Sequence, residues 1–280
     1  MVRPRNPNVH AEGLEPGLNK LSPILAAVGA FTLILLALPT IIVVSTSFTE
    51  TRMVAFPPRG FTLKWYLELL STEWFIKTFM NSLYAAAICT ALSIPVGVAA
   101  ALALNKYRVR GSNGIQIYLL LPFTVPLIVS GISLLFIYVR LGWLGRIAPI
   151  GFALMVINIP FMIWSVSASV NSLDPNLEYA AQNLGAEEVQ TFLYVTVPSL
   201  LPGIISGALL MFILGLTEFI TSMILVTLSN MTLPVALYNS IKTYLTPMLS
   251  SASTIYIIIA VFTVWLVDRI IGLEEYMKII

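Results

Sequence analysis

Charged residues are scarce in this chain of 280 residues: they make up 10% of it, whereas hydrophobic residues make up 58%. Soluble domains average about 25% charged residues. The charges leave seven uncharged windows of 23 to 29 residues, and about 20 apolar residues are enough to cross a bilayer. This pattern predicts a polytopic membrane protein. It excludes a soluble enzyme, a DNA-binding protein and a secreted disulfide scaffold.

Cysteine and histidine are equally rare, with one of each, Cys89 and His10. Cys89 lies in an apolar window and His10 in a polar N-terminal tail, so we expect neither a disulfide framework nor a metal site. The sequence also lacks the G-x-x-x-x-G-K-[ST] loop that binds nucleotide phosphates. We therefore expect no metal or cofactor bound by this chain. The net charge of +2 gives no reason to expect a nucleic-acid partner.

The apolar windows predict an all-α fold with six transmembrane helices in one membrane domain, residues 21–272. Residues 1–20 and 273–280 are predicted to be tails. Pro198 and Pro202 set the start of the fifth span, because proline suits a first helical turn. Residues 228–248 are predicted to form a loop or a short re-entrant piece. The approximate spans are Leu21–Ser45, Phe79–Leu104, Ile115–Val139, Ile147–Val170, Gly203–Val226 and Leu249–Ile271.

Six spans place both tails on the same side of the membrane. Lysine and arginine are divided almost equally between the two sides, so the positive-inside rule decides little by count. The compact cluster Lys106–Arg110 favours tails on the inside. Between the first two spans, Trp65, Tyr66, Leu69 and Leu70 share one helical face. This face indicates an interfacial helix or a docking surface for an outside partner.

Residues 171–200, between the fourth and fifth spans, have the pattern of two short helices. Asp174-Pro175 is a helix start and Gly185 a helix stop. Glu187-Glu188 opens the second helix, where the helix dipole favours acids, and Pro198 is predicted to end it. Two short helices meeting at a glycine suit insertion into a partner's groove. The alternative is a helical hairpin lying flat on the membrane.

This segment resembles the EAA loop of ABC-importer permeases. The resemblance rests on the run Glu178–Ala186, Glu-Tyr-Ala-Ala-Gln-Asn-Leu-Gly-Ala, followed by Pro198. It covers roughly residues 60–270 and is strongest for the second permease subunit of polyamine-type, spermidine/putrescine importers. Further matching motifs are Phe61–Tyr66, Asn81–Leu83, Lys106–Gly111, Leu121-Pro122, Pro126, Leu173–Pro175, Pro202–Ile204, Thr217–Phe219 and Thr232–Pro234. One departure is Tyr179, which stands where the family carries its signature glutamate; Glu178 lies one residue earlier.

The resemblance implies a permease subunit of the bacterial inner membrane, with both termini and the coupling loop (residues 171–200) cytoplasmic. It implies no catalysis by this chain. The expected partners are a second permease subunit in a heterodimer, two copies of an ATP-binding subunit that hold ATP and Mg, and an external substrate-binding protein. The expected solute is a polyamine, an opine or a related amino compound. The residues expected to contact the ATPase are Glu178, Tyr179, Ala180, Ala181, Leu184, Gly185, Ala186, Phe192 and Pro198.

Glu218 is the only charged residue inside a predicted span that is not within the last turn of that span, as Asp268 and Arg269 are. An intramembrane acid is by default a functional-site hypothesis. Two interpretations of Glu218 are open. It lines a translocation path for a cationic solute, together with Thr217, Thr221 and Ser222, or it is a buried structural acid. Asn158 is either a pathway donor or an interhelical hydrogen-bond partner.

Three small residues, Gly203, Gly207 and Gly215, predict close helix packing. Two other functions remain as alternatives, a self-sufficient secondary carrier and an intramembrane enzyme. A carrier would need coupling-ion sites made of several intramembrane polar or acidic groups, and Glu218 is the only acid away from the end of a span. An enzyme would need a cluster of acids or histidines near a membrane face, and the only dense acids lie in residues 171–200.

Overall fold

The computed structural model describes residues 23–107 and 109–271. Regular structure in these residues is helical, with no strand. The helices are α1 (Pro23–Thr46), α2 (Lys64–Ser71), α3 (Glu73–Ala101), α4 (Ser112–Thr124), α5 (Leu127–Leu141), α6 (Ile147–Ser172), α7 (Pro175–Asn183), α8 (Glu188–Thr191), α9 (Val197–Thr217), α10 (Ile220–Leu225), α11 (Leu233–Thr243) and α12 (Pro247–Ile271). A π-helical turn, Leu102–Lys106, extends α3, and a second, Phe192–Thr196, joins α8 to α9. The predicted tails, 1–20 and 273–280, and Arg108 lie outside the described residues.

Five helical stretches of the described chain are long and apolar enough to cross a membrane. They are Leu25–Thr46, Glu73–Lys106, Ile147–Ser172, Glu188–Thr217 and Pro247–Leu266. The predicted all-helical, polytopic class is confirmed. The third predicted span, Ile115–Val139, is wrong as a single helix, because α4 ends at Thr124 and α5 begins at Leu127. The extended backbone at Val125 and Pro126 separates them, since proline disfavours helical backbone in the residue before it.

The fifth predicted span, Gly203–Val226, is wrong at both ends. Pro198 does not end the second short helix, because the chain stays helical from Glu188 to Thr217. Pro198 has no N–H to donate to a helical hydrogen bond. The wider π-helical turn comes directly before it, with the Val197 N–H bonded to the Phe192 carbonyl, and the helix continues past the proline. The helix then ends at Thr217, well before Val226, and α10 follows. The stretch expected to be a loop or short re-entrant piece contains α11.

Helices α3, α6 and α9 pack together to form the centre of the protein. Its buried side chains include Ala85 and Cys89 from α3, Leu154 and Met162 from α6, and Met211 from α9. On one side α5 packs against α10, and on another α1 contacts α12. On the predicted apolar face of α2, the side chains of Trp65 and Leu69 are buried in the protein, whereas that of Leu70 is exposed.

The three predicted packing glycines lie where α9 meets its neighbours. A Cβ at Gly203 would lie 2.4 Å from the Ser169 Oγ of α6, and one at Gly207 would lie 2.5 Å from the Met162 sulfur. The Ser165 hydroxyl donates to the Gly203 carbonyl at 2.9 Å. At Gly215, a Cβ would lie 3.1 Å from the Cα of Ala86 in α3. The absence of side chains at these positions therefore sets the distance between α9 and the other two central helices.

Candidate functional site

The coupling loop is built by local capping chemistry. The Asp174 carboxylate accepts the Asn176 N–H at 2.9 Å and so caps α7. Helix α7 ends at Asn183, and Gly185 follows at φ +93°, a backbone conformation that favours glycine. The Glu187 N–H donates to the Gln190 side chain at 3.1 Å at the start of α8. The predicted starts of both short helices and the glycine stop between them are confirmed.

Large apolar side chains project from this loop. Leu184 is 90% exposed and Tyr179 is 62% exposed, and Leu177 and Val189 are exposed as well. Ala180, Gly185 and Pro198, three more of the expected docking residues, are also exposed. Exposed apolar side chains grouped in this way are typical of protein-interaction surfaces. We call Leu177, Tyr179, Leu184 and Val189 the apolar tip.

The other four residues expected to contact the ATPase are turned at least partly inward. Glu178, Ala181, Ala186 and Phe192 are half-buried. Phe192 packs against the central core and lines an apolar groove with Pro95, Val98 and Tyr107. Phe192 and Glu178 therefore contribute to the placement of the loop more than to its free surface.

Glu178 is joined to two other parts of the chain. The Lys106 Nζ lies 2.5 Å from the Glu178 Oε1, and the Thr196 hydroxyl donates to the same oxygen. Burial by itself raises the pKa of this carboxyl, but the hydrogen bonds from Lys106 and Thr196 and the positive charge of Lys106 bring the pKa below its ordinary value. We call Lys106, Glu178 and Thr196 the Glu178 cluster. No sequence pattern points to Thr196. Lys106 stands out in the sequence for its place in the basic cluster and in the motif Lys106–Gly111, but neither predicts a contact with Glu178.

Acid is expected to weaken this cluster. Because folding lowers the pKa of Glu178, its contribution to stability is fully present above the carboxyl's ordinary value of 4.5 and is lost as the pH falls through the lowered pKa. The melting temperature of the purified wild-type chain should therefore exceed that of a Glu178→Gln variant at neutral pH. The gap should be modest and should narrow as the pH falls below 4.5 and through the lowered pKa of Glu178. A gap that does not change as the pH is lowered through this acid range would contradict this assignment.

The second candidate region is the break between α9 and α10. Glu218 has an extended backbone there, so it does not lie within a continuous span as predicted. Its two carboxylate oxygens accept the N–H groups of Thr221 at 2.7 Å and Ser222 at 2.9 Å. The hydroxyls of Thr221 and Ser222 are buried and have no hydrogen-bond partner among the described residues. Glu218 therefore holds the start of α10 in place with its charged group.

The remaining predicted pathway residues are not joined to this group. The exposed Thr217 donates its hydroxyl to the Ile213 carbonyl of its own helix at 2.8 Å. Asn158 is buried in α6, and its amide donates to the Leu154 carbonyl at 2.9 Å, one turn earlier in the same helix. The structure therefore joins Glu218, Thr221 and Ser222 by hydrogen bonds, whereas the hydrogen bonds of Thr217 and Asn158 stay within their own helices.

The described chain is a polytopic helical bundle that carries an exposed two-helix loop, and sequence comparison identifies the family of membrane transport subunits to which it belongs. Residues 93–273 match the family described as binding-protein-dependent transport system inner membrane component. This match covers more than half of the chain, which therefore belongs to this family. The predicted resemblance to ABC-importer permeases is confirmed, and the chain is a multi-pass inner-membrane permease subunit.

Relatives cover most of the chain. It is 30% identical over 230 residues to the spermidine/putrescine transport system permease protein PotC of Haemophilus influenzae, covering 80% of this chain and 87% of that protein. It is 29% identical over 224 residues to the putrescine transport system permease protein PotI of Escherichia coli, covering 78% and 79% respectively. Its fold is similar to a chain of a bacterial ABC transporter involved in the import of the acidic polysaccharide alginate. That match has a TM-score of 0.69 at 17% identity and covers 89% of this chain and 95% of the other.

Proposed function

We propose that this chain forms half of the translocation pathway of an ATP-driven importer and is moved by an ATPase subunit docked on its coupling loop. The apolar tip carries the proposal. The capped two-helix loop lies outside the central bundle and exposes Leu184 almost completely. Exposure of large apolar side chains to water is unfavourable, and a partner that covers them removes this cost. Because the chain belongs to the family of binding-protein-dependent inner-membrane components, we expect this partner to be another subunit of such a transport system.

The chemistry of the coupling loop indicates what the ATPase surface must offer. Residues 171–200 contain no lysine or arginine, and Asp174, Glu187 and Glu188 are exposed acids. The partner's groove should therefore be apolar at its centre, with basic or amide groups at its rim. We place this loop and both termini in the cytoplasm, on the side of the basic cluster around Lys106. ATP and Mg would be held by two copies of the partner ATPase, and this chain would bind no cofactor.

A second permease subunit would complete the pathway, most simply in a heterodimer. Helices α4 and α5 have 13 and 15 residues, each shorter than the roughly 20 residues that a span needs. We propose that together they make one crossing, so that the chain has six. An external binding protein would deliver the solute to the face opposite the coupling loop.

The solute that we propose is a polyamine, or an opine or related amino compound. Both relatives described above carry polyamines in their names. Glu218 supplies one negative charge at the break between α9 and α10, which suits an organic cation. Co-expression with the neighbouring transport subunits provides the test. The chain should purify with an ATPase, and vesicles holding the complex should take up labelled putrescine only with ATP inside. Uptake by this chain alone, without ATP, would favour a secondary carrier instead.

A Glu218→Gln substitution should lower putrescine uptake by about tenfold or more while assembly and basal ATP hydrolysis persist. Glutamine keeps one oxygen to accept an N–H of α10 but removes the negative charge. Uptake, hydrolysis and co-purification should be measured on the same preparations. Glu73→Gln, which removes an exposed acid at the start of α3, is the matched control. Unchanged uptake by Glu218→Gln would remove this acid from the pathway, and loss of the assembled complex would identify it as structural.

A further inference from the structure

One carboxylate oxygen joins three separate segments of the chain. Glu178 projects from α7, and its Oε1 accepts from Lys106 and from Thr196. Lys106 is the last residue of the π-helical turn that extends α3, and Thr196 is the last residue of the π-helical turn before α9. The last residues of the two π-helical turns in the described chain therefore bond to the same oxygen atom. Such turns occur preferentially at functional sites, because they disturb the regular helical register.

This contact differs from an ordinary surface ion pair. Exposed pairs contribute little, since water screens them and long side chains lose entropy. Here the Glu178 side chain is 14% exposed and that of Lys106 24%, and Thr196 is fully buried. It is also the single ion pair that the described residues form. A charged group covered to this degree is restricted in position by its hydrogen bonds.

The contact extends into the central bundle. Asn105, next to Lys106, donates to the Ser167 hydroxyl of α6 at 2.7 Å and to the Ala101 carbonyl at 2.9 Å. Beyond Thr196, α9 packs closely on α6 through Gly203. Displacement of α7 would therefore act directly on the ends of α3 and α9, the two helices that pack with α6 at the centre.

We propose, on the basis of the proposed function, that Glu178 is a positioning residue whose contacts with Lys106 and Thr196 make α7 move as one body with the ends of α3 and α9. The two neighbouring side chains then have different roles. Tyr179 is exposed and faces the partner, whereas Glu178 faces the bundle. An ATPase that moves the apolar tip would through this cluster move two transmembrane helices together.

The first test uses the purified chain and needs no partner. Hydrogen–deuterium exchange of residues 175–183 reports the opening of α7. Glu178→Gln, Lys106→Met and the double variant should each speed this exchange by about tenfold, and the double variant should be no faster than the faster single one. Lys106→Arg keeps the positive charge, so α7 in this variant should exchange as slowly as in the wild type. Exchange equal to that of the wild type in Glu178→Gln, or additive effects in the double variant, would overturn the cluster.

The second test uses the assembled importer in liposomes, with labelled putrescine and ATP. Glu178→Gln and Thr196→Val should keep the ATPase bound and hydrolysing, but should raise the ATP used per putrescine imported by several-fold. Glu68→Gln, which changes an exposed acid of α2, is the control. An unchanged ratio would overturn the coupling role. If the wild-type chain binds no ATPase, the proposed function fails and the coupling role fails with it. The exchange measurement still decides whether Glu178 fixes α7.

Discussion

Replacing Leu184 with aspartate is expected to separate this chain from the ATPase subunit that we propose docks on it. Leu184 follows the end of α7, immediately before Gly185, and is 90% exposed, so it is the most exposed side chain of the apolar tip. A carboxylate there would have to lose its hydration in an apolar groove without a partner. Binding of the ATPase subunit should weaken at least tenfold, which corresponds to about 1.4 kcal/mol. Co-purification and titration with the isolated ATPase subunit in detergent would measure this loss.

Leu228→Asp is the matched control for this substitution. Leu228 is equally exposed, at 90%, but follows α10 and lies outside the coupling loop. The same change of chemistry there should leave ATPase binding unaltered. Equal loss in both variants would show that a new surface acid disturbs assembly in general. Full binding by Leu184→Asp would contradict docking through the apolar tip.

Gly203→Val is expected to destabilise the bundle itself. A Cβ at this position would lie 2.6 Å from the backbone oxygen of Ser165 and 2.4 Å from the Ser169 hydroxyl. A backbone atom cannot rotate away as the tip of a side chain can, so α6 and α9 would have to separate. Overpacking of this kind costs about 1–3 kcal/mol, and the separation would also break the hydrogen bond from Ser165 to Gly203. The melting temperature and the yield of monodisperse protein should both fall.

Gly29→Val provides the comparison for Gly203→Val. Gly29 lies in α1, and a Cβ there meets no atom within 4 Å. The same change of residue in another apolar helix should therefore leave the melting temperature nearly unchanged. A wild-type melting temperature in Gly203→Val would mean that α6 and α9 are not in the close contact described.

Local chemistry made parts of the fold predictable. Asp174-Pro175 and Gly185 delimit α7 because a capping side chain, a proline and a left-handed glycine act within a few residues. The apolar windows placed most spans because crossing a bilayer needs only length and composition. The prediction that Pro198 ends the second short helix was wrong, because proline is common both after helix ends and in the first turn of helices. The deciding feature, the preceding π-helical turn, has no sequence signature.

Contacts between distant residues were beyond prediction. The partners of Glu178 lie 72 and 18 residues away along the chain, and no periodicity connects them. The break at Glu218 was also hidden, since the apolar run continues through α10 without a proline or glycine. Glu218 itself was found because a charge in a span is rare. Its capping of the Thr221 and Ser222 N–H groups could be seen only in three dimensions.

The contact between Glu178 and Thr196 has a consequence for how tightly the proposed ATPase subunit can bind. Glu178 and Thr196 are 18 positions apart along the chain, and their hydrogen bond closes the segment between them into a loop whose ends are already joined. The chain entropy of closing such a loop is lost when the protein folds, rather than when the partner arrives. Binding of the apolar tip therefore carries a smaller ordering cost, and more of the free energy of apolar contact remains available for association. A small preorganised surface can in this way hold an ATPase firmly through repeated cycles.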